Sequence, residues 1–109
     1  MQRMGMVIGL NADKVAEYRE LHTNVWPGVL KMITACNIRN YSIFLKEPEN
    51  LLFGYWEYYG EDFEADAARM AADPETQRWW DVCMPCQAPL DTRKDGEWWA
   101  MMEDVFHLD

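Results

Sequence analysis

Two hydrophobic periods alternate along this chain, and their order leaves few folds open to it. Residues 2–10 place Met4, Met6, Ile8 and Leu10 at every second position, which predicts a strand. Asn11 and Asp13 offer capping oxygens, and a helix is expected from Asp13 to about Leu21. Trp26-Pro27 interrupts the chain, and Pro27 suits the first turn of a second helix to about Cys36, with Val29, Leu30, Ile33 and Cys36 at helical spacing. The period of two returns from Arg39 to Lys46, with Tyr41, Ile43 and Leu45 on one face and Asn40, Ser42 and Phe44 on the other. Glu47-Pro48-Glu49-Asn50 reads as a turn, and Leu51 to Tyr59 as the second strand of a hairpin. A helix is expected over Glu61 to Ala72. Asp73 then caps, and Pro74 opens, a fourth helix that carries Trp79, Trp80 and Val82 and ends near Pro85. A loop follows from Cys86 to Gly96. Trp98 to His107 reads as a last strand, although its Trp-Trp-Ala-Met-Met-Glu suits the start of a helix equally.

The order strand, helix, helix, strand, strand, helix, helix, strand predicts an α+β protein. The expected plan is ferredoxin-like: a four-stranded antiparallel sheet with helices on one face. With 109 residues the chain supports one domain, 1–109, around one core. Both faces of the third strand are apolar, with Phe53 and Tyr55 on one side and Trp56 and Tyr58 on the other. A sheet face left uncovered by helices predicts association, so a homodimer packed sheet to sheet is expected.

Charge narrows the partners. Nineteen acidic against ten basic residues give a formal net charge of −9, which repels nucleic acid and anionic membrane surfaces, and no Lys/Arg cluster offsets it. No stretch approaches the roughly 20 apolar residues of a membrane span, and the N-terminus lacks the cleavage site of a signal peptide. A small neutral ligand or a protein partner fits better. The three cysteines, Cys36, Cys83 and Cys86, form no disulfide framework and suit a reducing cytoplasm.

Few residues are placed for chemistry. Tyr18 and His22 lie four apart on one predicted helix and project from the same face. The imidazole can give or take a proton at neutral pH, and the phenol can orient a hydroxyl; equally, His22 can cap carbonyls at the helix end. His107 is expected to be structural. Cys83-Met-Pro-Cys86 falls at a helix C-terminus, where the dipole opposes a thiolate, and zinc lacks its further ligands, so neither a redox nor a metal role is expected. Glu97, Glu103 and Asp104 lie near the last strand, each a solvated carboxylate or a pocket acid. Phosphate-binding loops, nucleophile elbows and His-Glu-x-x-His motifs are absent. Six Trp are many for this length; their flat faces with polar tips suit ligand or partner surfaces, and equally they can simply pack in the core.

Taken together, five segments resemble the L-rhamnose mutarotase family: Glu17-Tyr18-Arg19-Glu20-Leu21-His22 through Trp26-Pro27; Asn40-Tyr41-Ser42-Ile43-Phe44-Leu45; Asn50-Leu51-Leu52-Phe53-Gly54; Gln77-Arg78-Trp79-Trp80; and Glu103-Asp104-Val105-Phe106-His107-Leu108. They run in order over nearly the whole chain. The resemblance implies a cofactor-free aldose 1-epimerase built as a dimeric α/β barrel, with His22 as proton donor and Tyr18, Tyr41, Trp79 and Trp80 binding a 6-deoxy-L-hexose. The loop after the Trp-Trp pair departs from the rhamnose pattern: Cys86-Gln87-Ala88-Pro89-Leu90-Asp91 is followed by Gly96-Glu97-Trp98-Trp99, which is similar to an L-fucose mutarotase-like branch.

Mutarotation needs only proton transfers, so one acid and one base suffice: His22 to protonate the ring oxygen, and a tyrosine, a carboxylate or water as base. Two other functions are open to such a fold. One is a non-catalytic dimeric α/β-barrel module for a small ligand or partner; the other is a cofactor-free monooxygenase.

Overall fold

The computed structural model describes residues 1–109. Strand β1 covers Gln2–Leu10; a 3₁₀ turn, Ala12–Lys14, leads into helix α1, Val15–His22. Helix α2, Pro27–Ala35, precedes the hairpin of β2, Ile38–Lys46, and β3, Leu51–Tyr58. Helices α3, Phe63–Ala71, and α4, Pro74–Cys83, follow, and two short strands complete the sheet: β4, Gln87–Ala88, and β5, Ala100–Met102.

The helix starts follow from their caps. Asp62 accepts from the Ala65 amide at 3.2 Å and starts α3 two residues after the expected Glu61. Asp73 accepts from both the amide and the hydroxyl of Thr76 at 2.9 Å, with Pro74 just inside α4 as expected. Pro27 likewise opens α2. Three of the four positive-φ positions are asparagines, Asn37 after α2, Asn40 in the bulge of β2 and Asn50 at the entry to β3, with φ of 68°, 52° and 57°; the fourth is Gly96.

The sheet is antiparallel in the order β2-β3-β1-β4, with β5 also on β1. This is the α+β, ferredoxin-like arrangement expected, but its fourth position differs. The predicted strand over Trp98–His107 is three residues long. Met102, Met101 and Ala100 pair with Gly5, Met6 and Val7, while Ala88 and Gln87 take the next stretch of the same edge opposite Gly9 and Leu10. Two segments share one edge, so the sheet has five strands. Beyond Met102 the chain leaves the sheet, and Val105, Phe106 and Leu108 are exposed.

Register brings Met6, Ile8 and Leu10 of β1 and Leu52 of β3 to the helix-covered face, where all four are buried. Ile8, Leu10 and Leu52 meet Val15 and Tyr18 of α1, Val29 of α2 and Trp79 and Cys83 of α4 in the main core. Gly9 sets how closely β4 approaches: a Cβ there would lie 2.5 Å from the Ala88 carbonyl oxygen. The opposite face keeps Phe44 exposed beside half-buried Phe53 and Tyr55. No helix is long and apolar enough to cross a membrane.

Candidate functional site

The helix-covered face of the sheet does not close completely. Between the helices and the strands lies a mostly apolar cavity of about 1190 Å³, and Tyr18, His22, Tyr41, Trp79 and Trp80 all line it. Five residues spread over α1, β2 and α4 thus reach one space.

Helix α1 supplies two of them. Tyr18 is 5 % exposed and stacks on the His22 ring, centroids 4.1 Å apart and planes 28° apart. His22 Nδ1 lies 2.9 Å from the backbone carbonyl of Tyr18. A carbonyl oxygen only accepts, so Nδ1 carries the hydrogen and Nε2 keeps its lone pair. The two roles open to His22 from sequence therefore coexist: one nitrogen caps a carbonyl of its own helix, and the other is free. Burial pushes the His22 pKa down, opposed in part by the Tyr18 carbonyl, so the ring is neutral at pH 7.

Helix α4 divides the Trp pair. Thr76, Trp79 and Cys83 share its buried face. The Trp79 ring stands edge-on to His22, centroids 5.3 Å apart, and edge-on to Trp26 at 5.2 Å. Trp80, one residue on, turns outward and remains 36 % exposed at the cavity wall. Tyr41 stands against Trp56, centroids 5.0 Å apart and planes 84° apart. Desolvation of its hydroxyl end pushes the Tyr41 pKa to about 12, although the residue as a whole is 37 % exposed. Burial raises the Tyr18 pKa as well, so both phenols stay protonated and can donate.

The carboxylates named from sequence lie elsewhere. No Asp or Glu lines this cavity. Glu103 and Asp104 border a shallow depression on the other sheet face together with Arg3, and Asp104 lies 3.7 Å from its guanidinium. Glu97 accepts from the Lys94 amide of its own loop and from the Met101 amide of β5. His107 lies 2.7 Å from Asp109, remote from His22. Burial pushes the Cys83 thiol to about 12 and the Cys86 thiol to about 11, where Cys86 also donates to Glu17 at 3.0 Å. With thiols and phenols held protonated, His22 is the group in this cavity able to exchange a proton near neutrality.

Sequence reasoning missed Gln87. Its side chain is 8 % exposed and lines the cavity, accepting from Trp98 Nε1 at 2.7 Å and reaching Tyr18 Oη at 3.5 Å. Trp98 and Trp99 form part of the same wall, and Trp99 lies over Gly54, where a Cβ would come within 3.4 Å of its ring. The signal was the altered loop after Cys86, but nothing in it singles out the glutamine.

The family model for L-rhamnose mutarotase matches residues 3–108. An L-rhamnose mutarotase of Opitutus terrae is 39 % identical over 113 residues, spanning all of both chains. One of Yersinia pestis is 41 % identical over 80 residues, covering 73 % of this chain and 74 % of its own length. The crystal structure of an L-rhamnose mutarotase from Formosa agariphila superposes over the whole of both chains with a TM-score of 0.78 at 22 % identity, which speaks to the fold.

Proposed function

This chain belongs to the L-rhamnose mutarotase family, and from that premise we propose that it interconverts the α and β anomers of a 6-deoxy-L-hexose, L-rhamnose first, with His22 carrying the proton. The observation that carries the proposal is the isolation of His22: a neutral imidazole with one free nitrogen in an aromatic cavity that holds no carboxylate.

The chemistry such a site can perform follows from one proton and one bond. Nε2 takes the proton from the anomeric hydroxyl. The bond between C1 and the ring oxygen breaks, its electron pair stays on the ring oxygen, and that oxygen takes the proton from Nε2. C1 becomes an aldehyde carbon, rotates about its bond to C2, and the ring closes on its other face by the reverse steps. The two oxygens share one carbon, so a single nitrogen can serve both, and His22 is then the donor to the ring oxygen and the acceptor that precedes it. Tyr18 and Tyr41 would donate to sugar hydroxyls, and Trp79 and Trp80 would face the C–H surface and the methyl group. No step calls for a cofactor.

The working unit in this proposal is one domain, residues 1–109, paired as a homodimer through the outer sheet face, where Phe44 is 65 % exposed. Three cysteines that are all free and buried suit a reducing cytoplasm. The test is saturation-transfer NMR of anomer exchange with L-rhamnose, L-fucose and glucose side by side. Faster exchange for a 6-deoxy sugar than for glucose is the expected result. Exchange at the rate of buffer for all three would overturn the proposal.

A further inference from the structure

Gln87 is a buried polar side chain of the cavity, and its hydrogen bonds have a determined direction. Indole Nε1 can only donate, so the 2.7 Å contact from Trp98 fixes the side-chain oxygen of Gln87 on the Trp98 side. The amide nitrogen is thereby turned toward Tyr18, 3.5 Å from its hydroxyl oxygen. Amide nitrogen only donates, so Tyr18 Oη receives this long hydrogen bond, and the phenolic hydrogen is left to point elsewhere. Tyr18 Oη has no acceptor among the side chains and carbonyls around it, and Tyr18 lines the cavity.

We propose that Gln87, held by Trp98, is a positioning residue that turns the Tyr18 hydroxyl hydrogen into the cavity as a donor to a sugar hydroxyl. This rests on the sugar-binding role proposed above for Tyr18. Backbone pairing sets the residue in place: Gln87 lies opposite Leu10 in β4, and the neighbouring Gly9–Ala88 approach admits no side chain at Gly9. Trp98 comes from the far end of the loop between β4 and β5, so the Trp98–Gln87 bond also ties that loop to the pocket. A loop that sets the identity of the sugar would act through this bond.

The decisive variant is Gln87→Glu. A carboxylate accepts at both oxygens, so it still takes the Trp98 hydrogen but now also takes the Tyr18 hydrogen, withdrawing it from the sugar. Once protonated, the carboxyl can again donate to Tyr18 while accepting from Trp98. Sugar dissociation constants are read from tryptophan fluorescence, and KM and kcat from NMR anomer exchange, for the wild type, Gln87→Glu, Gln87→Leu and Trp98→Phe between pH 5 and 8. At pH 8, Gln87→Glu should bind L-rhamnose about five- to tenfold more weakly, as expected for one lost neutral hydrogen bond, with kcat within about twofold of wild type. The deficit relative to wild type should shrink toward pH 5, while that of Gln87→Leu stays constant with pH. Trp98→Phe frees the amide to flip and should weaken binding by a smaller factor. A Gln87→Glu deficit that ignores pH, or affinity unchanged in both Gln87→Glu and Trp98→Phe, would overturn the role of Gln87. Wild-type protein that binds the sugar without exchanging anomers would instead count against the mutarotase proposal and leave the Gln87 comparison readable from binding.

Discussion

Trp79 and Trp80 are adjacent in sequence and unequal in structure, and the difference is measurable. Trp79 is 7 % exposed and packs within the main core as well as against His22 and Trp26. Truncating a buried Trp to Ala costs roughly 3–5 kcal/mol, through lost transfer free energy and the cavity left behind. At about 4 °C per kcal/mol for a domain near this size, Trp79→Ala should lower Tm by roughly 12–20 °C. Trp80 is 36 % exposed, and much of its inner surface faces the cavity rather than packed side chains. Its truncation should cost less than about 1.5 kcal/mol of stability. It removes an aromatic face available to the sugar, and losing about 0.5–1.5 kcal/mol of such contact should raise KM roughly two- to twelvefold. Thermal unfolding followed by circular dichroism, with KM from NMR anomer exchange, separates the two effects. Equal destabilisation by both substitutions, or an unchanged KM in Trp80→Ala, would refute this division of labour.

Three further outcomes are expected. Because burial lowers the His22 pKa and the proposed mechanism uses the neutral ring, kcat/KM should rise with pH through a midpoint below the ordinary imidazole value and then level off; a rate that falls between about pH 6 and 8 would contradict this. Light scattering on a sizing column should give about twice 12.9 kDa, and Phe44→Glu on the outer sheet face should shift the protein toward the monomer; a monomeric wild type would remove the dimer from the account. Burial pushes the Cys83 and Cys86 thiols to about 12 and about 11, so both should resist a thiol-specific reagent at pH 8 until the protein is unfolded, and rapid labelling of the native protein would be the contrary result.

What could be read from sequence was local. Pro27 and Asp73-Pro74 set the starts of α2 and α4 because fixed φ and a capping oxygen act within one turn of chain. The period of two placed Met6, Ile8 and Leu10 on the buried face. The last strand was misread because its length depends on a distant partner: β4 occupies the edge of β1 opposite Gly9 and Leu10, leaving Gly5 to Val7 for β5. Beyond Met102 the chain leaves this edge at Glu103-Asp104, although Gln2–Met4 of β1 run on past Gly5, so the segment from Glu103 stays outside the sheet. In the site, spacing put Tyr18 and His22 on one helix face and placed the Trp pair on α4, and the family resemblance gave them one task. Spacing did not reveal that Tyr18's own carbonyl fixes the His22 tautomer, nor that Glu97, Glu103 and Asp104 lie outside the cavity. Gln87 was invisible for the same reason as the short strands: its partners, Tyr18 and Trp98, lie 69 residues before it and 11 after it.

The central claim is that one neutral imidazole moves the proton. NMR anomer exchange of L-rhamnose, measured at pH 7 with wild type and His22→Ala at equal concentration, tests it directly, with circular dichroism to verify that the variant is folded. Loss of an acid–base group should lower kcat by at least about tenfold, and by as much as about 10⁴-fold if His22 serves both oxygens. Exchange by a folded His22→Ala within about twofold of wild type would contradict the account and place the proton transfer on another group.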